Sequence, residues 1–314
     1  MEPFLYNLFS DREIIKLGPR FLQRPLARLI AAFRSGKAVD MYRLIGGRSP
    51  LFEITGAQAK ALEAALNAGN GDMEKRGHGD NDISSKYKVY VGMRYWRPYI
   101  EDTVEQMAAD GIREIVGLSL YPHYSVATTG SAMSKFDDSV KRHSMNPCRI
   151  SAWYDHPGYI DALVDSIKRG LAVFRNAKAE VLFSAHGLPL SIVNSGDPYV
   201  SHIEGTIEKV KDRIDISWHL SYQSRSGPVR WLQPSTDDKI RELALHGVKN
   251  LLVVPVSFVS DHIETLYEID ILYKEMAGSL GMKLVRTESM NTSPLFIKAL
   301  ANIARKAITE AGWN

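Results

Sequence analysis

The run Asn250-Leu-Leu-Val-Val-Pro-Val256 is apolar on successive residues, not on alternating ones. A strand of that kind has to be buried on both faces, which is the condition of a parallel sheet covered by helices. Glu114-Ile-Val-Gly-Leu-Ser-Leu120, Glu180-Val-Leu-Phe-Ser184 and the shorter Lys88-Val-Tyr-Val91 read as further strands. Helical periodicity fills the intervals at Gly56 to Ala68, Tyr99 to Ala109, Tyr159 to Asn176, Thr236 to His246 and Ser293 to Ala311. Asp110-Gly111, His246-Gly247 and Ser279 to Gly281 each end a helix on a glycine, as left-handed caps do. The expected fold is α/β, with right-handed crossovers between parallel strands.

In such sheets ligands sit beyond the carboxyl ends of the strands. The segments there are Gly92-Met-Arg-Tyr-Trp96, Tyr121-Pro-His-Tyr-Ser125, Ala185-His-Gly-Leu-Pro189 and Ser257-Phe-Val-Ser-Asp-His-Ile-Glu264. Together they are rich in aromatic, histidine and charged residues, which makes them the place to look for a site.

The remaining composition mostly excludes. A length of 314 residues with 45% hydrophobic content is enough for about two domains. A net charge of +3 is too small for a nucleic-acid binder that works by neutralising phosphates. A single cysteine, Cys148, leaves no internal disulfide, four-cysteine zinc site or self-contained iron–sulfur cluster. No apolar run reaches the roughly 18 to 20 residues of a membrane span, and Met1 to Ser10 lacks the pattern of a secretory signal. The expected location is the cytoplasm. Between Arg12 and Arg43, however, eight basic residues interleave with large apolar ones, so either peripheral contact with an anionic membrane or a plain solvated helix face fits the pattern. Asn67 to Ser85 is polar and glycine-rich and reads as a surface loop.

Two constellations carry chemistry. His186 stands at a strand end with Gly187 behind it, and imidazole titrates near pH ~6.5, where it can accept a proton. Glu264 and Glu268 lie four apart on a helical segment and share a face without a nearby lysine, an arrangement that calls for a cation or a proton between them. His262 adds an imidazole suited to ferrous iron, and Asp261 favours the amino end of the helix. From the residues alone, two classes stay open: a metal-handling enzyme using His186, His262 and Glu264, and a two-lobed protein that closes on a small ligand without chemistry.

Seven segments, in order, resemble the ferrochelatase family. They are Pro3-Phe-Leu-Tyr-Asn-Leu-Phe-Ser-Asp11, Tyr42-Arg-Leu-Ile-Gly-Gly-Arg-Ser-Pro-Leu51, Val89-Tyr-Val-Gly-Met-Arg-Tyr95, Leu120-Tyr-Pro-His-Tyr-Ser125, Phe183-Ser-Ala-His-Gly-Leu-Pro189, Tyr222-Gln-Ser-Arg-Ser-Gly-Pro228 with Trp231-Leu-Gln-Pro234, and Ser260-Asp-His-Ile-Glu-Thr-Leu-Tyr267. The resemblance implies two similar Rossmann-like lobes with a porphyrin cleft between them. Residues 1–125 would form the first lobe, with helix 293–314 packed back on it, and residues 126–292 the second. It implies insertion of Fe²⁺, as substrate, into protoporphyrin IX or coproporphyrin III for haem synthesis, with no tightly bound cofactor. His186 resembles the family's proton-accepting or metal-binding histidine, Glu264 its partner carboxylate, and Glu268 the next carboxylate on a partly π-helical segment. Arg94, Tyr95, Tyr121, Trp231, Phe258, Asp261 and His262 match cleft positions, and Arg34 and Ser49 match donors for the propionates. A sister chelatase inserting cobalt or nickel is the alternative within the class.

The sequence departs from the family pattern at three places. The family's first strand and Gly-Gly-Pro-type loop are expected ahead of Pro3, so the first sheet is expected to be short of one strand. Leu272 stands where a third carboxylate is common. Phe33-Arg34 stands where relatives often carry paired arginines. Oligomeric state is left open.

Overall fold

The computed structural model describes residues 1–12, 15, 17–68, 87–175, 177–225, 227 and 229–313. The polar segment between Asn67 and Ser85 therefore lies outside the described residues from position 69 onward.

Two parallel sheets organise the chain. β1 (Glu114–Leu118) pairs with β2 (Asn146–Ile150), Glu114 opposite Asn146. β3 (Glu180–His186), β4 (Trp218–Gln223), β5 (Asn250–Pro255) and β6 (Lys283–Arg286) form the second sheet in the order β4-β3-β5-β6. The three long apolar runs are strands as expected, whereas β2, β4 and β6 carry too few consecutive apolar residues to show in the pattern. Lys88–Val91 is a correction, because it pairs with no strand among the described residues. Its main chain is satisfied by side chains instead: the Val89 N–H donates to Glu63 (2.7 Å), and the Val91 carbonyl accepts from the Thr103 hydroxyl (2.8 Å).

The helices are α1 (Glu2–Ser10), α2 (Gln23–Leu44), α3 (Leu51–Ala68), α4 (Ile100–Ala109), α5 (Ser131–Arg142), α6 (Pro157–Ala172), α7 (Leu190–Asn194), α8 (Tyr199–Lys211), α9 (Thr236–Leu245), α10 (Lys274–Ser279) and α11 (Pro294–Glu310). Two further segments, Val126–Gly130 and Glu264–Tyr273, are π-helical. α3 starts at Leu51, earlier than the periodicity suggests, because Pro50 precedes it and the Ser49 hydroxyl accepts the Leu51 N–H (3.2 Å). Gly111, Gly247 and Gly281 take φ of +79°, +81° and +73°, so the three expected helix stops are left-handed glycines.

The second sheet shows why its strands are apolar throughout. On β3 and β5, Val181, Phe183, Leu252 and Val254 face a core shared with α6, α8 and α11. Leu182, Leu251 and Val253, the residues between them, face a second core under α9, α10 and Glu264–Tyr273. Each such side chain contributes about 1.5–3 kcal/mol by leaving water. α11 packs on α6, α3, β1 and β2, and so joins the two sheets. Arg305 on α11 also donates to the Ala65 and Leu66 carbonyls at the end of α3 (2.6 and 3.2 Å). β2 pairs with β1, and α5 packs on α4 and β2.

Candidate active site

In the second sheet the chain runs from β3 to β4 on one side and from β5 to β6 on the other. The crevice between the carboxyl ends of β3 and β5 is thus where the connections part and a ligand finds room. His186 ends β3, Gln223 ends β4, and Ser257 to Glu264 follow β5.

His186 Nδ1 lies 2.8 Å from Glu264 Oε2. The backbone of His186 is gripped at both ends. Its N–H donates to the Ser257 hydroxyl (3.2 Å), and its carbonyl accepts from the Tyr199 hydroxyl (2.9 Å), which is itself 2.7 Å from Ser257 Oγ. Residue 187 has to be glycine because a Cβ there would lie 2.8 Å from the Gln223 carbonyl oxygen. The Trp231 ring covers the same glycine, and the edge of Phe258 meets both His186 and His262, at 5.9 and 4.3 Å between ring centres.

Glu264 and Glu268 open the π-helical segment, with Ser224 between them. Its hydroxyl is 2.9 Å from Glu264 Oε2 and 2.6 Å from Glu268 Oε2. Ser224 has φ +66°, a conformation that costs a non-glycine residue about 1 kcal/mol or more and here delivers the hydroxyl to both carboxylates. One hydroxyl has one hydrogen, so a second proton is needed to hold both contacts. Glu268 supplies it: burial first and the Glu264 charge second push its pKa up to about 7. Burial would also raise Glu264, but the His186 imidazolium outweighs it and holds Glu264 well below the usual carboxylate range. Burial would lower His186, and the same Glu264 carboxylate outweighs it and raises His186 above the ordinary imidazole value. The two groups thus favour one another's ionised forms, beside a proton that Glu268 and Ser224 share.

His262 differs. Its Nδ1–H donates to the Ser260 carbonyl (3.0 Å), which leaves the Nε2 lone pair buried with no hydrogen-bond partner among the described residues. Burial keeps its pKa below the ordinary value, so the ring is neutral.

The other expected residues divide by what they touch. Tyr121 lies within electrostatic reach of Glu264. Asp261 is taken up by its surroundings, accepting from Ser289 (2.7 Å), Asn291 (2.9 Å) and Thr265 (3.2 Å) and pairing with Arg286 (3.0 Å). Arg94 and Tyr95 both bind the Asp11 carboxylate, at 2.5 and 2.8 Å, and Arg94 also donates to Ser131 (2.9 Å). The Arg34 guanidinium lies 5.5 Å from the centre of the Phe9 ring, and Ser49 starts α3. Among the described residues, no three or more His, Cys, Asp or Glu side chains converge as a ready-made metal cage.

Reading the sequence residue by residue missed Ser224, Gln223, Ser257, Tyr199 and Tyr42. Tyr42, near the end of α2, feels the Glu264 charge and is raised by burial and by that charge. Four of the five lie inside or beside segments singled out above. Tyr199 carries no such signal, since it stands thirteen positions from His186 at the start of α8.

Two parallel sheets flanked by helices, with a histidine–carboxylate pair at the switch point, define a chelatase-type α/β protein. Solved structures of this architecture include the Bacillus subtilis chelatase SirB with Fe³⁺, with a TM-score of 0.55 at 13% identity over 82% of this chain and 92% of that one. The cobalt complex of SirB from Bacillus subtilis subspecies spizizenii gives a TM-score of 0.51 at 13% identity, over 80% of this chain and 90% of that one. At these identities the likeness concerns the fold alone. The family model described as Ferrochelatase matches residues 1–308. Curated relatives named ferrochelatase include those of Desulfotalea psychrophila, 48% identical over 100% of this chain and 93% of its own, and Geobacter metallireducens, 48% identical over 98% and 93%. The chain belongs to the ferrochelatase family, enzymes that insert Fe²⁺ into a porphyrin in haem biosynthesis.

Proposed function

We propose that His186, Glu264 and Glu268 carry out the insertion in this chain. The observation behind this reading is the 2.8 Å His186–Glu264 pair at the switch point, with Glu268 joined to it through Ser224. A free porphyrin must lose two pyrrolic protons as the metal enters. In its neutral form the His186 ring accepts a pyrrolic proton, the Glu264 carboxylate stabilises the imidazolium that results, and Glu268, titrating near neutrality, passes protons onward. The same oxygens and imidazole suit Fe²⁺. Phe258, Trp231 and Tyr121 are the walls of the macrocycle, with Tyr42 beside them. His262 backs Phe258, with its neutral Nε2 buried. Arg94, Tyr95, Arg34 and Ser49 recognise propionates by exchanging their present partners for a substrate carboxylate. Asp261 acts by holding the loop. Protoporphyrin IX and coproporphyrin III both fit this reading.

The test is anaerobic Fe²⁺ insertion followed by loss of the free-porphyrin spectrum, with each porphyrin. His186→Ala and Glu264→Gln are expected to lower kcat by at least about 100-fold, as removal of a general base does. Wild-type rates in both variants would sink the assignment of these residues.

The lobes are proposed as residues 1–150 with α11, and residues 151–292. The protein is read as cytoplasmic, with α2 resting on anionic membrane. Phe33 is 83% and Leu29 56% exposed, and Arg24, Arg28, Arg34, Lys37 and Arg43 flank them in the same helix. No helix among the described residues is long and apolar enough to cross a membrane. Co-sedimentation with anionic but not neutral liposomes, reduced by Phe33→Ser, is the expected result. Equal recovery with both lipid types would overturn the surface reading.

A further inference from the structure

Behind the two carboxylates runs a line of buried hydroxyls. Ser221 Oγ is 3.0 Å from Thr236 Oγ1, Thr236 Oγ1 is 2.9 Å from Ser184 Oγ, and the Ser184 hydroxyl donates to Gln223 Oε1 (2.7 Å). None of these four residues exposes more than 1% of its surface. The direction of the line follows from its end. Because the Ser184 hydrogen goes to Gln223, Ser184 accepts from Thr236, and Thr236 accepts from Ser221. The amide oxygen of Gln223 is thereby turned inward. Its NH₂ is turned out towards the site, 3.2 Å from the Glu264 main-chain oxygen and 3.2 Å from Glu268 Oε2. Reversing the amide would set its oxygen against both of those oxygens.

β3, β4, the first residue of α9 and the π-helical segment thus meet through one side chain. Apolar residues of equal volume would pack a strand end at least as stably as a row of polar groups that must all be satisfied. We propose that Gln223, locked in one orientation by Ser221, Thr236 and Ser184, is a positioning residue for metal insertion: it fixes Glu268 and the start of the π-helical segment relative to His186. This inference rests on the reading of Glu264 and Glu268 as the reacting carboxylates. Gln223 touches neither metal nor porphyrin in that scheme. Its work is to keep Glu268 Oε2 turned towards Ser224, where the two carboxylates share their hydroxyl.

The experiment is steady-state Fe²⁺ insertion by the full chain, with porphyrin affinity read separately from quenching of porphyrin fluorescence. Gln223→Met removes all three hydrogen bonds of the amide. Gln223→Asn keeps the amide but, one methylene shorter, cannot reach Ser184 and Glu268 at once, which covers the case in which the Met variant folds poorly. Both are expected to lower kcat about 10- to 100-fold with porphyrin affinity unchanged, the usual size of effect when a group that orients a ligand is removed. Thr236→Val is expected to lower kcat and Thr236→Ser, which keeps the hydroxyl, to restore it. In a Glu268→Gln background, Gln223→Met should cost no further loss, because residues acting through one another are not additive. Full additivity in that background, or equal loss in Thr236→Ser and Thr236→Val, overturns the proposal while the carboxylate reading stands. Full activity in Glu264→Gln and Glu268→Gln overturns the carboxylate reading itself, and this proposal with it.

Discussion

At the scale of single residues, the site is a set of groups that set one another's charge. His186 and Glu264 each favour the other's ionised form across 2.8 Å, whereas Glu268 stays protonated because it is buried beside Glu264. The sign for stability follows. Glu268 binds a proton in the folded chain up to about pH 7, whereas in the unfolded chain it loses that proton in the usual carboxylate range. Over that window the folded state binds more protons, so the Glu268 contribution is present at low pH and is lost as pH rises through about 7. His186, also raised, adds to the same trend at and above neutrality. Glu264 is depressed, so its contribution is lost only in strong acid. The substrate-free protein is therefore expected to lose stability from about pH 5 to about pH 7, with His186 extending the loss above neutrality. Glu268→Gln, a permanent neutral mimic, should flatten that loss. Denaturant titrations of the two proteins at a series of pH values check this, and parallel curves would refute it.

At the scale of the element, the deciding feature is the π-helical turn Glu264–Tyr273. Its i→i+5 geometry brings residues four and five apart close to line, which places Glu264 and Glu268 on one row. Leu272, the next position on that row, is 43% exposed and ends the carboxylates. A widened turn needs support, and Arg286 on β6 supplies it. Its guanidinium forks onto Asp270 within the turn (2.7 and 3.0 Å) and reaches Asp261 ahead of it (3.0 Å), with only 10% of its side chain exposed. Arg286→Met is expected to leave Asp270 without its charge partner and Asp261 with only its neutral donors, and to destabilise the protein by about 1–3 kcal/mol. It should also speed amide exchange across residues 264–273. Arg286→Lys, which keeps the charge but loses the fork, should fall between. Exchange across the turn as slow in Arg286→Met as in the wild type would show that the turn stands without this support.

At the scale of the whole molecule, two contacts among the described residues tie distant parts of the chain together, beside the packing of α2 on the π-helical turn. Gln58 on α3, buried to 2% exposure, donates to the Ser260 hydroxyl (2.9 Å) and to the Asn291 carbonyl (2.8 Å), both in loops beside the π-helical turn. α11 supplies the second. Phe296 is fully buried in the core shared by β3, β5, α6 and α8, and α11 also reaches β1 and β2. Phe296→Ala is expected to cost about 3–5 kcal/mol, the range for emptying a large aromatic site. Because the same core spans both sheets, the loss should appear as one cooperative transition at lower denaturant. Two separate transitions would mean that the sheets unfold independently.

Much of this was legible in the sequence, and the reason is local chemistry. Consecutive apolar residues at 180–184 and 250–256 state that both faces of a strand are covered, and β3 and β5 are covered on both faces. Gly111, Gly247 and Gly281 stop helices because only glycine takes those φ values readily. His186 and Glu264 stood out because reactive residue types at strand ends are worth noticing wherever the strands lie. What the sequence could not carry depends on partners distant in the chain. Lys88–Val91 has the residues of a strand, but its main chain is bonded to the Glu63 and Thr103 side chains and pairs with no strand among the described residues. Arg94 and Tyr95 look like free donors until Asp11, more than eighty positions away, comes within 2.8 Å or less. Gln223 and Ser224 are ordinary polar residues in one dimension. Only the folding of β4 beside β3 and under the π-helical turn sets them against Glu264 and Glu268, because hydrogen bonds are decided by the last ångström and sequence spacing is not.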